Sequence, residues 1–340
     1  MLEPRPHGYR RLVRRTVAAG AALAVAAFIV GLSGVPAWAV TCSGGATMTI
    51  NLADGESVSL SLSGDADPRS IRVTPADPTC DSFNTSTVTT IQVDGGSGNE
   101  TLTIDQAGAV PFPHQKTASI VLALGGGSNS LVITGQETAD TIGLGANGIG
   151  LGAALTPDVT GVGTVERVAV NAGGGNDVVS GLGLGGLGGV FTFPLTIDGG
   201  SEDDTLTGGN GDDTIDGGDG DDVIKGRLGQ DVLEGNVGDD EANGGDSKDT
   251  VSGGGGGDVV SGGDGEDAID AGKGNDTING GKAGDTVVAG PGNDVLRGGR
   301  GDDDLDGGPG NDQLRGGAGR DDCLGGPGAD SFTGCEKITL

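Results

Sequence analysis

The sequence predicts an all-β chain whose C-terminal half is a stacked coil of short strands, a β-solenoid. Three observations predict it. From Gly199 to Thr333 the chain divides into fifteen consecutive nine-residue units with no insertion or deletion. Position eight of the unit is a large apolar residue in thirteen of them, the exceptions being Ala242 and Cys323. Glycine (74 of 340 residues) and acidic side chains (49 against 19 basic) concentrate at fixed positions of this ruler. Glycine at this level also marks collagen and flexible linkers. Collagen requires Gly at every third position with abundant Pro, and a linker requires no period.

Each position of the unit has a physical role. Two units read GGNGDDTID (208–216) and GGDGDDVIK (217–225). The apolar residue at position eight, between polar or small neighbours, is the inward residue of a three-residue strand. One unit cannot bury a single apolar residue alone, whereas two make an eighteen-residue coil with facing strands and a turn at each end. G-G-x-G is a tight turn that leaves carbonyl oxygens uncovered by side chains. Position six is Asp in every unit: Asp204, Asp213, Asp222, Asp231, Asp240, Asp249, Asp258, Asp267, Asp276, Asp285, Asp294, Asp303, Asp312, Asp321 and Asp330. Carboxylates beside carbonyls, without nitrogen or sulfur donors, suit Ca²⁺. Gly208, Gly211, Gly217, Gly220, Gly298, Gly301, Gly307 and Gly310 are candidate backbone donors alongside the Asp side chains.

Stacking coils at the strand spacing of about 4.8 Å brings like Asp residues into rows. Neighbours then repel by ~0.9 kcal/mol at the dielectric of water and ~3.5 kcal/mol at an effective value of 20. With little apolar burial per coil to oppose this, the array is expected to be unfolded without calcium and folded with it.

The pattern G-G-x-G-x-D-x-U-x, seen in GGDGDDVIK (217–225) and GGPGNDQLR (307–315), resembles the hemolysin-type calcium-binding repeat of the RTX family. The resemblance implies a right-handed parallel β-roll with Ca²⁺ held between turns two units apart. Fifteen units give edges of eight and seven turns, which bounds the sandwiched ions at about thirteen. Departures from the pattern lower that number. Glu202, Ser247 and Ala283 replace Gly at position four, Arg227 and Asn236 at position two, and Ala271 and Ala289 at position one. Lys248 and Arg320 stand at position five, where Asp or Asn would strengthen the local negative field. Weak or empty sites are expected over 226–252 and near Ala283.

Upstream, Arg5, Arg10, Arg11, Arg14 and Arg15 precede an apolar stretch from Thr16 to Leu32 and the motif Ala37-Trp38-Ala39. This pattern predicts a secretory signal peptide over 1–39, with an uncleaved anchor as the competing reading. Cleavage leaves 14 basic and 48 acidic residues, a net charge of −34, and no membrane span. It also removes the one Trp and the one Tyr. Four Cys in an exported chain suggest disulfides, with Cys42–Cys80 and Cys323–Cys335 the preferred local pairing.

Residues 40–198 carry alternating runs such as Thr47–Leu52 and Ile120–Leu124 and read as β-rich with degenerate repeats. Four GG-turn segments start at 93, 123, 170 and 197, and place Glu100, Ser130, Asp177 and Asp204 at the Asp position. Asp177 lies 27 residues before Asp204, in frame with the ruler, and joins the candidate ligands. A continuous solenoid with longer N-terminal turns is the simplest account, and a separate β-sandwich is the alternative. Residues 199–333 form the repeat array and 334–340 a C-terminal cap.

Catalytic readings find little support. There is no H-E-x-x-H, no G-x-S-x-G and no P-loop, and one His (His114) remains after cleavage. The acidic charge excludes nucleic acid as a partner. The reading is a secreted, non-enzymatic calcium-binding protein, extracellular or at the cell surface, with cell-surface or matrix polymers as candidate partners. The alternative is a β-helical polysaccharide-modifying enzyme with its active site in 40–198.

Overall fold

The computed structural model describes residues 167–183 and 189–339 throughout and, upstream, the strands between Ala39 and Thr160. Residues 1–38, Cys80, Glu100 and His114 lie outside the described residues, and with them the leader reading and the Cys42–Cys80 pairing. Every described element is a strand. No described helix is long and apolar enough to cross a membrane.

The strands form two sheets, of sixteen and fifteen strands, that run the length of the solenoid. Along the array the chain alternates between them. Thr205–Thr207, Val223–Leu228 and Glu241–Asp246 belong to the first sheet, and Thr214–Asp219, Val232–Val237 and Thr250–Gly255 to the second. All neighbours are parallel at an offset of eighteen residues, from Thr196 opposite Thr214 to Gln313 opposite Ser331. Two nonapeptides therefore make one coil, and the C-terminal region is a parallel β-solenoid of about eight turns.

Strand alternation fixes the core. Positions seven and nine face out, while position eight points between the sheets. Leu206, Ile215, Ile224 and Leu233 are buried there, and the column runs on to Leu314 and Cys323. A single apolar layer of this kind gives each coil little to hold it. Both ends are therefore reinforced. At one end Phe191, buried, and Phe193 meet edge to face with centroids 5.6 Å apart. At the other, Cys323 is joined to Cys335.

The same two sheets continue upstream, so the array and the preceding region are built on one stack. Here the coils are longer. Val178 pairs with Thr205 at an offset of 27, and Thr101 with Ser130 at 29. The largest coils carry antiparallel excursions, such as Ser57–Leu62 with Ser70–Thr74 and Thr141–Gly145 with Gly148–Leu151. One sequence alignment is corrected by this topology. The turns after Asp94 and Ala123 pass from the first sheet to the second, whereas those after Gly174 and Ser201 pass from the second to the first. Ser130 therefore does not extend the row of Asp177 and Asp204, and Glu100 lies outside the described residues. A GG turn has the same composition on either edge, so composition could not separate them.

The turns explain the glycines. Most position-two glycines have positive φ, such as Gly218 at 108° and Gly299 at 117°, and so do many at position four, such as Gly238 at 141°. Five non-Gly residues share this conformation: Glu202 (70°), Arg227 (93°), Asn236 (76°), Ser247 (91°) and Ala283 (70°). They are the five residues that replace Gly at positions two and four. The backbone thus keeps the glycine path and the side chain bears the strain, of the order of 1 kcal/mol per residue. Ser247→Gly and Ala283→Gly are each expected to stabilise the roll by about 1 kcal/mol. Gly274→Ala should destabilise it by more than about 1 kcal/mol, because φ is 144° there and a Cβ would collide with the Gly256 carbonyl. Chemical denaturation midpoints in calcium check both signs.

Candidate metal centre

The turns arrange the Asp residues in two rows, one along each edge. The first runs Asp177, Asp204, Asp222, Asp240, Asp258, Asp276, Asp294, Asp312 and Asp330. The second runs Asp213, Asp231, Asp249, Asp267, Asp285, Asp303 and Asp321. All are buried except Asp330, which is half-buried.

Each carboxylate uses one oxygen to clamp the coil before it. The amide of Asp204 donates to Oδ1 of Asp222 at 2.7 Å, and that of Asp231 to Oδ1 of Asp249 at 2.8 Å. The bond repeats at every step of both rows and ends with Asp312 to Asp330 at 3.1 Å. Asp177 enters on the same terms, since its amide donates to Oδ1 of Asp204 at 2.7 Å across the longer coil. The other oxygen has no such use. Oδ2 of Asp204, Asp222, Asp240, Asp258, Asp276, Asp294 and Asp312 in the first row is buried without a hydrogen-bond partner. The same holds for Asp231, Asp249, Asp267, Asp285, Asp303 and Asp321 in the second.

Asp213 differs. Its Oδ1 accepts the Leu195 amide at 2.8 Å and its Oδ2 accepts the Gly209 amide at 2.7 Å. Both oxygens are satisfied by backbone where the regular array meets the irregular coil, so the second row begins with a carboxylate already occupied. The nine-residue period carries no sign of this.

What lies at each orphan oxygen follows from position one. A Cβ added to Gly280 would stand 2.5 Å from Oδ2 of Asp285 and 2.7 Å from the carbonyl oxygen of Gly298. Position one is Gly because the carboxylate oxygen and the next coil's carbonyl occupy the space of its side chain. The same pair meets at Gly199 (Asp204 Oδ2 with the Gly217 carbonyl) and at Gly307, where Oδ2 of Asp312 is 2.7 Å and the Gly325 carbonyl 3.1 Å away. Ala271 leaves the motif intact, since its carbonyl and Oδ2 of Asp258 both lie 2.5 Å from the Cβ position of Gly253.

Of the predicted glycine donors, the carbonyls of Gly217 and Gly298 are thus brought to an orphan carboxylate oxygen. The Gly208 carbonyl lies instead 2.6 Å from the Cβ position of Gly181. Those of Gly211, Gly220, Gly301 and Gly310 point along the stack at the position-four residues Gly229, Gly238, Gly319 and Gly328. Over 226–252, where the repeats depart most, Asp231, Asp240 and Asp249 keep the same burial and the same orphan oxygen. The departures strain the turn without displacing the carboxylate.

Electrostatics mark the rows as unfinished. Burial raises the carboxyl pKa from Asp204 to Asp312 in the first row and from Asp213 to Asp321 in the second: to about 6 at Asp204, Asp240, Asp258 and Asp294, and to about 7 at Asp231 and Asp285. The amide bond at Oδ1 opposes the rise, and row neighbours add to it, as Asp213 and Asp249 do at Asp231. Among the described residues no three His, Cys, Asp or Glu side chains gather at one point. A cation between coils would draw on one or two carboxylates and on carbonyls. That all-oxygen donor set fits a hard cation such as Ca²⁺ and does not fit zinc.

Sequence reasoning missed one residue of the second row. The amide of Asp321 donates to Oε2 of Glu336 at 2.7 Å, which is the bond that every preceding Asp makes to the next. The spacing of fifteen rather than eighteen hid it.

The family model described as the RTX calcium-binding nonapeptide repeat (4 copies) matches at residues 198–233, 225–260, 252–287, 261–296, 279–314 and 297–332. A comparison with curated proteins finds no match to the chain. Residues 198–332 are an array of RTX calcium-binding nonapeptide repeats folded as a parallel β-roll.

Proposed function

We propose that this chain is exported, loses residues 1–39, and folds outside the cell when Ca²⁺ enters the two Asp rows, where it serves as a non-enzymatic structural or adhesive component. The observation that carries this reading is the series of buried Asp Oδ2 atoms without partners, most of them beside a position-one carbonyl of the next coil. An unpaired buried carboxylate oxygen is among the costliest groups a fold can contain, and a divalent cation offsets that cost while cross-linking adjacent coils. Asp204, Asp222, Asp240, Asp258, Asp276, Asp294 and Asp312 would hold it along one edge. Asp231, Asp249, Asp267, Asp285 and Asp303 would hold it along the other. Asp213, with both oxygens satisfied, is the weakest member. About thirteen ions is the upper bound that the repeat count supports.

Although the net charge is acidic, a local outward row of four basic residues supports anionic groups of a cell-surface or matrix polymer as the partner. On the first sheet Lys282 pairs in register with Arg300, and Arg297 with Arg315, all four exposed. Lys282 is bonded to Asp264, but among the described residues no ion pair engages Arg297, Arg300 or Arg315. Like charges on neighbouring strands repel, so a bound polyanion would relieve them. Arg297→Glu with Arg315→Glu is expected to reduce retention on an acidic polysaccharide matrix in calcium several-fold. Unchanged retention removes this partner.

Far-ultraviolet circular dichroism of the purified protein tests the folding step. In EDTA at pH 7.5 the spectrum should be that of a disordered chain, and millimolar Ca²⁺, but not Mg²⁺, should restore β signal. A fully folded spectrum in EDTA contradicts the reading. Acidification gives a second arm. The carboxyls have folded-state pKa values raised to about 6 or 7. Their stabilising contribution is therefore present below the ordinary carboxylate range and lost as pH rises through those values. In EDTA the folded fraction should accordingly increase from pH 7.5 to pH 4.5.

A further inference from the structure

The last described residues, Gly334 to Thr339, follow the fifteenth nonapeptide and lack its G-G-x-G-x-D pattern. Their register nevertheless continues the array. Lys337, Ile338 and Thr339 pair in parallel with Asp322, Cys323 and Leu324, at an offset of fifteen residues instead of eighteen. Gly334 also takes a familiar place. Its carbonyl lies at the Cβ position of Gly316 together with Oδ2 of Asp321, as the Gly298 carbonyl and Asp285 Oδ2 do at Gly280. Glu336 then receives the Asp321 amide at 2.7 Å, where Asp321 Oδ1 receives that of Asp303 at 3.1 Å one coil earlier.

Gly334 and Glu336 thus stand at positions one and six of a unit from which three residues are missing. The shortened loop cannot place an Asp at the row, and the extra methylene of Glu spans the difference. Cys335 lies between them, bonded to Cys323 with a Cα separation of 6.0 Å. Cys323 is the core-position residue of the fourteenth unit, one coil earlier on the same sheet, so the disulfide fixes the contracted loop to the roll's interior.

We propose that Gly334-Cys335-Glu336 is a contracted sixteenth repeat that closes the second Asp row with a further calcium site, and that the Cys323–Cys335 disulfide holds Glu336 in place for it. The donors are Asp321 Oδ2, the Gly334 carbonyl and the Glu336 carboxylate. Two independent observations meet here. The register and the amide bond identify Glu336 as the row's last carboxylate. Asp321, 0% exposed, presents an unpartnered Oδ2 at the point where the Gly334 carbonyl arrives. Lys337, the nearest cation in sequence, is engaged by Asp322 at 2.6 Å and leaves Glu336 unneutralised.

This proposal rests on the calcium reading of the array, and the test separates the two. Native mass spectrometry counts the ions on the full chain in calcium, for the wild type, Glu336→Gln and Glu336→Asp. Gln can still accept the Asp321 amide, so the roll should persist while one ion is lost. Asp keeps the charge but shortens the reach, and should lose the same ion. Reduction of the wild type with dithiothreitol should also remove one ion by freeing Glu336. An unchanged count in either variant overturns the terminal site, and an unchanged count after reduction overturns the role of the disulfide. A wild type that binds no calcium overturns the calcium reading and this proposal together.

Discussion

The structure depends on what happens to the second oxygen of a buried aspartate. From Asp204 to Asp312 in one row and from Asp231 to Asp321 in the other, each Asp spends Oδ1 on the amide of the Asp one coil earlier, and this clamp sets the stacking of the turns. Oδ2 is then left inside the protein, beside a carbonyl oxygen that also carries negative charge. Neither oxygen can donate, so nothing the protein itself supplies at that point is attractive. The remaining features of the repeat follow from accommodating this oxygen. Position one is Gly in thirteen of the fifteen units because a Cβ crowds this oxygen, Ala271 and Ala289 being the exceptions. Most residues at position two and many at position four take positive φ, which brings the carbonyls round, and position eight carries what apolar burial one strand allows. On the function proposed above, a cation converts this repulsion into cross-linking, which one apolar side chain per nine residues does not supply against a buried anion per nine.

Much of this was legible because the chemistry repeats in register with the chain. An Asp at position six in fifteen units locates both rows, and the apolar residue two positions later locates the core. The five substitutions for Gly at positions two and four even identify the strained backbone residues, since the coil geometry permits no other path. Legibility fails where the period does. Upstream of the array the coils lengthen by antiparallel excursions, so Ser130 could not be assigned to an edge from a GG turn alone. Glu336 was hidden by a three-residue contraction. The satisfied state of Asp213 depends on the Leu195 and Gly209 amides, and Leu195 belongs to a coil whose length the nonapeptide does not govern.

The two ends of the roll solve a common problem by different means. A stack of identical coils exposes its core at each terminus and leaves the last Asp without a partner coil. At the N-terminal side the stack runs on into longer coils, and the adjoining one supplies the Leu195 amide for Asp213 and a pair of phenylalanines against the core. At the C-terminal side a contracted coil supplies Glu336, and a disulfide takes the place of the apolar residue at position eight. The cap is thus built from the same row as the array, with a longer side chain compensating for a shorter loop.

The central claim concerns the position of a cation, and a crystal structure grown in calcium with anomalous data addresses it most directly. The account predicts anomalous peaks along both edges, each in contact with an Asp Oδ2 and the position-one carbonyl of the next coil, and none in contact with Oδ2 of Asp213. Edges free of anomalous density, with the Oδ2 atoms instead paired to protein donors or to water, would contradict it.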